Sequence, residues 1–124
     1  MVFSTKQRIL VVDDVPNNIY LLQTILEAEE FEVDTALNGL LALTKIQASP
    51  PDLVLLDVMM PVMNGFEVTK SIRQNDKLRF LPILLITAGN DSDGIEGLKI
   101  GANDFMRKPI KFDILMAKIL NILR

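Results

Sequence analysis

The chain has 124 residues, 49% of them hydrophobic, with 13 basic against 16 acidic side chains and no histidine, cysteine or tryptophan. That length suits one hydrophobic core and that apolar fraction excludes disorder, while the missing Cys and His exclude disulfides, thiolate nucleophiles, imidazole bases and any phosphohistidine within the chain. A net charge of −3 offers no footprint for nucleic acid, no apolar run approaches the ~20 residues of a membrane span, and MVFSTKQR lacks a signal-peptide core, so a soluble cytoplasmic protein is expected.

Five short aliphatic runs alternate with stretches of helical spacing. Arg8 to Asp13 is a continuous apolar run, as in a strand buried on both faces. Residues 16–30 read as a helix, with Pro16 in its first turn and Ile19, Leu22, Ile25 and Leu26 on one face. Phe31 to Ala36 alternates in the manner of an edge strand, and Asn38 to Ala48 is helical until Pro50-Pro51. Asp52 to Asp57 is a third strand, and a Met-Pro-Asn-Gly loop at 59–65 leads into a helix carrying Phe66, Val68 and Ile72. Pro82 to Thr87 is a fourth strand. Residues 91–100 predict a weak helix, because Gly94 and Gly97 each cost about 1 kcal/mol relative to Ala, and Gly101 suits its C-cap. A short strand at 103–107 and a helix at 112–123 close the pattern. Strands separated by such helices predict an α/β fold with a parallel sheet and right-handed crossovers.

Polar groups fall at the carboxyl ends of these strands: Asp13 and Asp14, Asp57, Thr87, and Lys108-Pro109. Open parallel sheets bind ligands at that edge. A single aspartate there could as well cap a helix or face water; the whole set sharing one edge points to chemistry. If the first and third strands are neighbours, three carboxylates converge and repel one another unless a hard divalent cation neutralises them. A carboxylate beside Mg²⁺, with a hydroxyl and an ammonium opposite, suits phosphoryl transfer to an aspartate. The nucleophile is already ionised at neutral pH and needs no histidine base. Metal and lysine would spread the transition-state charge, and Thr87 could donate to a phosphoryl oxygen.

Val12-Asp13-Asp14, Asp57 within Leu55-Leu56-Asp57-Val58-Met59-Met60-Pro61-Val62-Met63-Asn64-Gly65, Thr87-Ala88, and Gly101-Ala102-Asn103-Asp104-Phe105-Met106-Arg107-Lys108-Pro109 resemble the signature segments of the response-regulator receiver domain. They follow in order over essentially the whole chain. The resemblance implies a doubly wound, flavodoxin-like (βα)5 fold with strand order 2-1-3-4-5, and a single receiver domain over 1–124 without an output domain in this chain. It further implies that Asp57 accepts the phosphoryl group and that Asp13, Asp14, Asp57 and the Met59 carbonyl bind Mg²⁺. Lys108 would pair with Asp57 and then with the phosphoryl group, Thr87 and Phe105 would form the switch, and a cis bond would precede Pro109. The implied donor is a sensor histidine kinase or a histidine phosphotransfer protein. The implied recipient is a downstream protein or an attached output domain. Such a chain catalyses only its own phosphorylation and dephosphorylation.

Three positions depart from common family forms. Asn103 stands where a second acid is frequent, Phe105 replaces tyrosine, and Lys118 stands where DNA-binding members often use an arginine in a dimer contact, so a monomer or weak dimer is expected. Met59 and Gly89 supply no polar side chain to orient a hydrolytic water, so slow phosphoryl loss is expected. The glycine-weakened helix 91–100 is expected to be mobile and to follow the rotamers of Thr87 and Phe105. A Mg-dependent aspartyl-phosphate hydrolase of similar fold is the alternative, but its second acid, two residues after the nucleophile, would fall at Met59. A nucleotide-binding domain would need a glycine-rich turn where Asp13-Asp14-Val15-Pro16 stands.

Overall fold

A computed structural model describes residues 6–124; the segment 1–5, part of the stretch taken above to lack a signal-peptide core, lies outside the described residues. The elements are β1 (Arg8–Val12), α1 (Pro16–Ala28), β2 (Glu32–Ala36), α2 (Gly39–Ala48), β3 (Leu53–Asp57), α3 (Gly65–Gln74), β4 (Ile83–Thr87), α4 (Asp91–Ile100), β5 (Asp104–Arg107) and α5 (Phe112–Leu123). All strands run parallel in the order β2-β1-β3-β4-β5. The doubly wound α/β arrangement expected from the sequence is therefore the one observed.

Side chains that alternate along the central strands divide between two cores, because successive residues of a strand point to opposite faces. Leu10, Val12, Val54, Leu56, Ile83 and Leu85 pack with Ala42, Ile46, Val68 and Ile72 of α2 and α3. Ile9, Val11, Leu53, Leu55, Leu84 and Ile86 pack with Ile19, Leu22 and Leu26 of α1 and with Leu115 and Ile119 of α5. Both faces of β3 and β4 are covered, which accounts for their uninterrupted apolar runs.

Element ends differ by a few residues from the sequence expectation, for local reasons. Helix α1 stops at Ala28, and Glu30 takes φ 71° to turn the chain before buried Phe31. Asn38 is the N-cap of α2, accepting from the Leu41 N–H at 2.8 Å, and is outside the helix. Pro82 precedes β4 because it has no N–H for the ladder, although its carbonyl still accepts from Val54 at 3.0 Å.

Helix α4 requires a larger correction. A Cβ on Gly94 would fall 2.3 Å from the Phe105 ring, and one on Gly97 would fall 2.3 Å from Leu85 Cδ1. The two glycines lower helix propensity, but they also let α4 lie directly on β5 and β4. Gly101 ends the helix at φ 123°, as its C-cap position predicts. Next to it, half-buried Arg73 donates to the carbonyls of Gly101 (2.8 Å) and Leu81 (2.7 Å) and to Asn103 Oδ1 (3.1 Å). Asn103 Oδ1 also accepts from the Ile83 N–H at 2.9 Å, so this departure from the family form pins the start of β4. Lys118 pairs with Asp104 within the chain at 3.0 Å. Among the described residues, no helix is long and apolar enough to cross a membrane.

Candidate functional site

Strands β1 and β3 are neighbours with Val12 opposite Leu56, so Asp13 and Asp57 leave the sheet side by side. Both are buried, while Asp14 is half-buried. Asp13 is fixed by two donors, the Val15 N–H to Oδ1 at 2.9 Å and Asn18 Nδ2 to Oδ2 at 3.2 Å. One carboxylate oxygen from each of Asp13, Asp14 and Asp57 lies within 4.8 Å of the others.

Lys108 reaches the same point from the far side of β4. The β4–β5 pairing sets Thr87 opposite Arg107, and the Lys108 N–H then donates to the Thr87 carbonyl at 2.8 Å. The Lys108–Pro109 bond is cis. The Lys108 ammonium stands 3.5 Å from Asp57 Oδ1 and 3.8 Å from Asp13 Oδ2. Asp57 Oδ1 also accepts a long hydrogen bond from the Met59 N–H at 3.4 Å. Burial first, and the Asp13 charge second, push its carboxyl up to about 6, against the pull of Lys108.

Thr87 is fully buried, and its Oγ1 accepts the Gly89 N–H at 2.9 Å, leaving the hydroxyl hydrogen free to be donated elsewhere. Phe105 is half-buried with its ring on the Gly94 face of α4. The Met59 side chain is exposed at the rim. The structure thus brings Asp13, Asp14, Asp57 and Lys108 into one cluster, with Thr87 buried at the same sheet edge and Phe105 against α4. Three carboxylates outnumber the one ammonium, and an all-oxygen donor set of this charge fits a hard divalent cation such as Mg²⁺.

Some contributors went unrecognised in the sequence. Asn18 lies within the first turn of α1, and the one signal for its bond to Asp13 was its nearness to a strand end. Gly65, at the end of the loop expected over 59–65, begins α3; its N–H donates to the Val58 carbonyl at 2.9 Å and a Cβ there would lie 2.6 Å from the Asp57 carbonyl oxygen. Since that neighbour is backbone, Gly65→Ala is expected to cost about 2 kcal/mol and to shift the Asp57 segment. Thermal unfolding indistinguishable from the parent would contradict this. Gly89 itself brings no polar side chain to this edge, but an Asp93 carboxylate oxygen from α4 lies 1.7 Å from where a Gly89 Cβ would be.

Residues 9–120 match the family model of the response regulator receiver domain. The chain belongs to this family. The receiver is 45% identical over 118 residues to the response regulator PleD of Caulobacter vibrioides, covering 94% of this chain and 26% of PleD. It is 42% identical over 118 residues to the phosphate regulon transcriptional regulatory protein PhoB of Rhizobium meliloti, covering 94% of this chain and 52% of PhoB. The chain thus spans only a quarter to a half of the length of these relatives. In three dimensions it resembles the chemotaxis protein CheY4 of Vibrio cholerae, with a TM-score of 0.89, 32% identity, and 96% and 100% of the two chains covered. The signal receiver domain of a histidine kinase from Syntrophus aciditrophicus gives a TM-score of 0.87 at 31% identity, with 94% and 89% covered. Receiver domains are signalling switches of two-component systems, and aspartyl phosphate and Mg²⁺ are general features of the family.

Proposed function

We propose that this receiver takes a phosphoryl group from the phosphohistidine of a sensor histidine kinase or a histidine phosphotransfer protein onto Asp57. The observation that carries the proposal is a single buried carboxylate at the end of β3, with Asp13 on one side and the Lys108 ammonium 3.5 Å from its Oδ1. A carboxylate oxygen of Asp57 forms the new bond to phosphorus as the phosphorus–nitrogen bond to the donor imidazole breaks, its electron pair returning to the ring. Asp57 needs no base, because it is ionised above about pH 6. Lys108, already beside the nucleophile, donates to a phosphoryl oxygen as charge spreads over it. Asp13, Asp14, Asp57 and the Met59 carbonyl would hold Mg²⁺, which when bound supplies further neutralisation of that charge.

Thr87 then turns its free hydroxyl hydrogen toward the phosphoryl group, and the Phe105 ring and α4 adjust to it. This biases one arrangement of helix 91–100 and β5, the segment presented to a downstream protein or an attached output domain. The acceptor unit is the single receiver of residues 1–124, acting in the cytoplasm without direct nucleic-acid binding. Its monomeric or weakly dimeric state is supported by the pairing of Lys118 with Asp104 inside the chain.

Incubation with Mg²⁺ and acetyl phosphate is expected to add one phosphate, read by intact mass, that is absent in Asp57→Asn. An unchanged adduct in that variant, or multiple turnover of a phosphate ester, would overturn the proposal.

A further inference from the structure

Glycine at 89 leaves a space beside the switch hydroxyl, and a side chain from another element fills it. A Cβ built on Gly89 would lie 3.3 Å from Thr87 Oγ1 and 1.7 Å from Asp93 Oδ2, so the Asp93 carboxylate occupies the place where a side chain at residue 89 would project. Asp93 sits in the first turn of α4 and is half-buried, and its N–H is used by the Asn90 carbonyl at 3.2 Å. No hydrogen bond or ion pair engages its carboxylate among the described residues. A half-buried carboxylate without a partner among the described residues, at the Gly89 position that borders buried Thr87, retains its full capacity to accept hydrogen bonds from water.

We propose that Asp93 positions the water that removes the phosphoryl group from Asp57. This rests on Asp57 being the acceptor, as proposed above. The water oxygen forms a bond to phosphorus, and the phosphorus–oxygen bond to Asp57 breaks with its electron pair returning to the carboxylate. One water proton is held by Asp93 as the attack proceeds and then passes to the departing inorganic phosphate. Asp93 serves hydrolysis alone; it has no part in accepting the phosphoryl group, where water must be excluded.

The test is the decay of protein phosphorylated with acetyl phosphate and Mg²⁺, followed by intact mass after donor removal. Asp93→Ala is expected to lose phosphate at least about fivefold more slowly, a conservative floor beneath the roughly 100-fold that a well-positioned proton acceptor supplies. Asp93→Asn, which keeps the shape, should slow decay as well and serves if the alanine variant fails to fold. Adding Gly89→Glu to Asp93→Ala returns a carboxylate to the vacated space and is expected to restore faster decay. Unchanged or faster decay in the Asp93 variants overturns the inference. Slowing without restoration by Gly89→Glu also overturns it, by assigning the effect to α4 packing. Absence of any phosphate on the parent chain would instead count against Asp57 as acceptor.

Discussion

Without divalent metal at pH 7.5, Asp57→Asn is expected to be more stable than the parent by up to about 3 kcal/mol, a rise in melting temperature of about 5 °C or more. The sign follows from proton linkage. The Asp57 carboxyl titrates at about 6 in the folded chain, against 3.8 as its ordinary value. Between those values the folded state binds more protons than the unfolded one, so parent stability falls as pH rises through that window. The amide has the same shape and no charge to desolvate. The stability difference between variant and parent should therefore be near zero below pH 4 and fully developed above about pH 7. Added Mg²⁺ should narrow the gap, because a cation bound by the folded parent stabilises it by mass action and the amide weakens that site. Thermal melts across pH 4–8, with and without Mg²⁺, provide the check. A variant less stable than the parent at every pH would show that the Lys108 pairing outweighs burial and the Asp13 charge.

Removing the ammonium has the opposite character. Lys108→Ala is expected to leave the fold intact and to slow phosphorylation by acetyl phosphate about 100-fold, the usual scale for losing one donor aimed at developing anionic charge. Lys108 is the only cation paired with both Asp13 and Asp57 among the described residues, at 3.8 and 3.5 Å. Its loss leaves the buried carboxylates to repel one another and raises the Asp57 carboxyl further. Lys108→Arg should recover only part of the rate, since a planar fork does not reproduce a compact charge at that distance. Initial rates at saturating Mg²⁺, with circular dichroism to verify folding, decide it. A rate within about threefold of the parent would remove Lys108 from the transfer step.

The strands and the acid cluster were legible in the sequence because each follows from a short local rule. A strand covered on both faces must be apolar throughout, as Leu53 to Leu56 and Ile83 to Ile86 are. The acids then stand out at the ends of such runs, and adjacency of β1 and β3 is enough to bring Asp13 to Asp57. What stayed hidden depends on contacts between elements far apart in the chain. Gly94 and Gly97 were read by helix propensity as weak points, whereas their meaning lies in the Phe105 and Leu85 side chains that press on them. Asn103 looked like a lost acid, and only Arg73, thirty residues earlier, reveals it as an acceptor shared between a guanidinium and the β4 backbone. Asp93 carried no signal at all, because the space it fills is defined by a glycine in the preceding loop.

Phe105 packs against the core beneath α2 and α3, whereas its neighbour Met106 belongs to the core beneath α1 and α5. The sheet therefore acts as a partition. Under the proposed switching, a rearrangement entering through the Phe105 ring would repack the side that Phe105 touches and leave the core of Met106 as the frame. On that proposal the domain would offer two kinds of surface: a constant one, against which a partner is recognised in either state, and a variable one that reports the state.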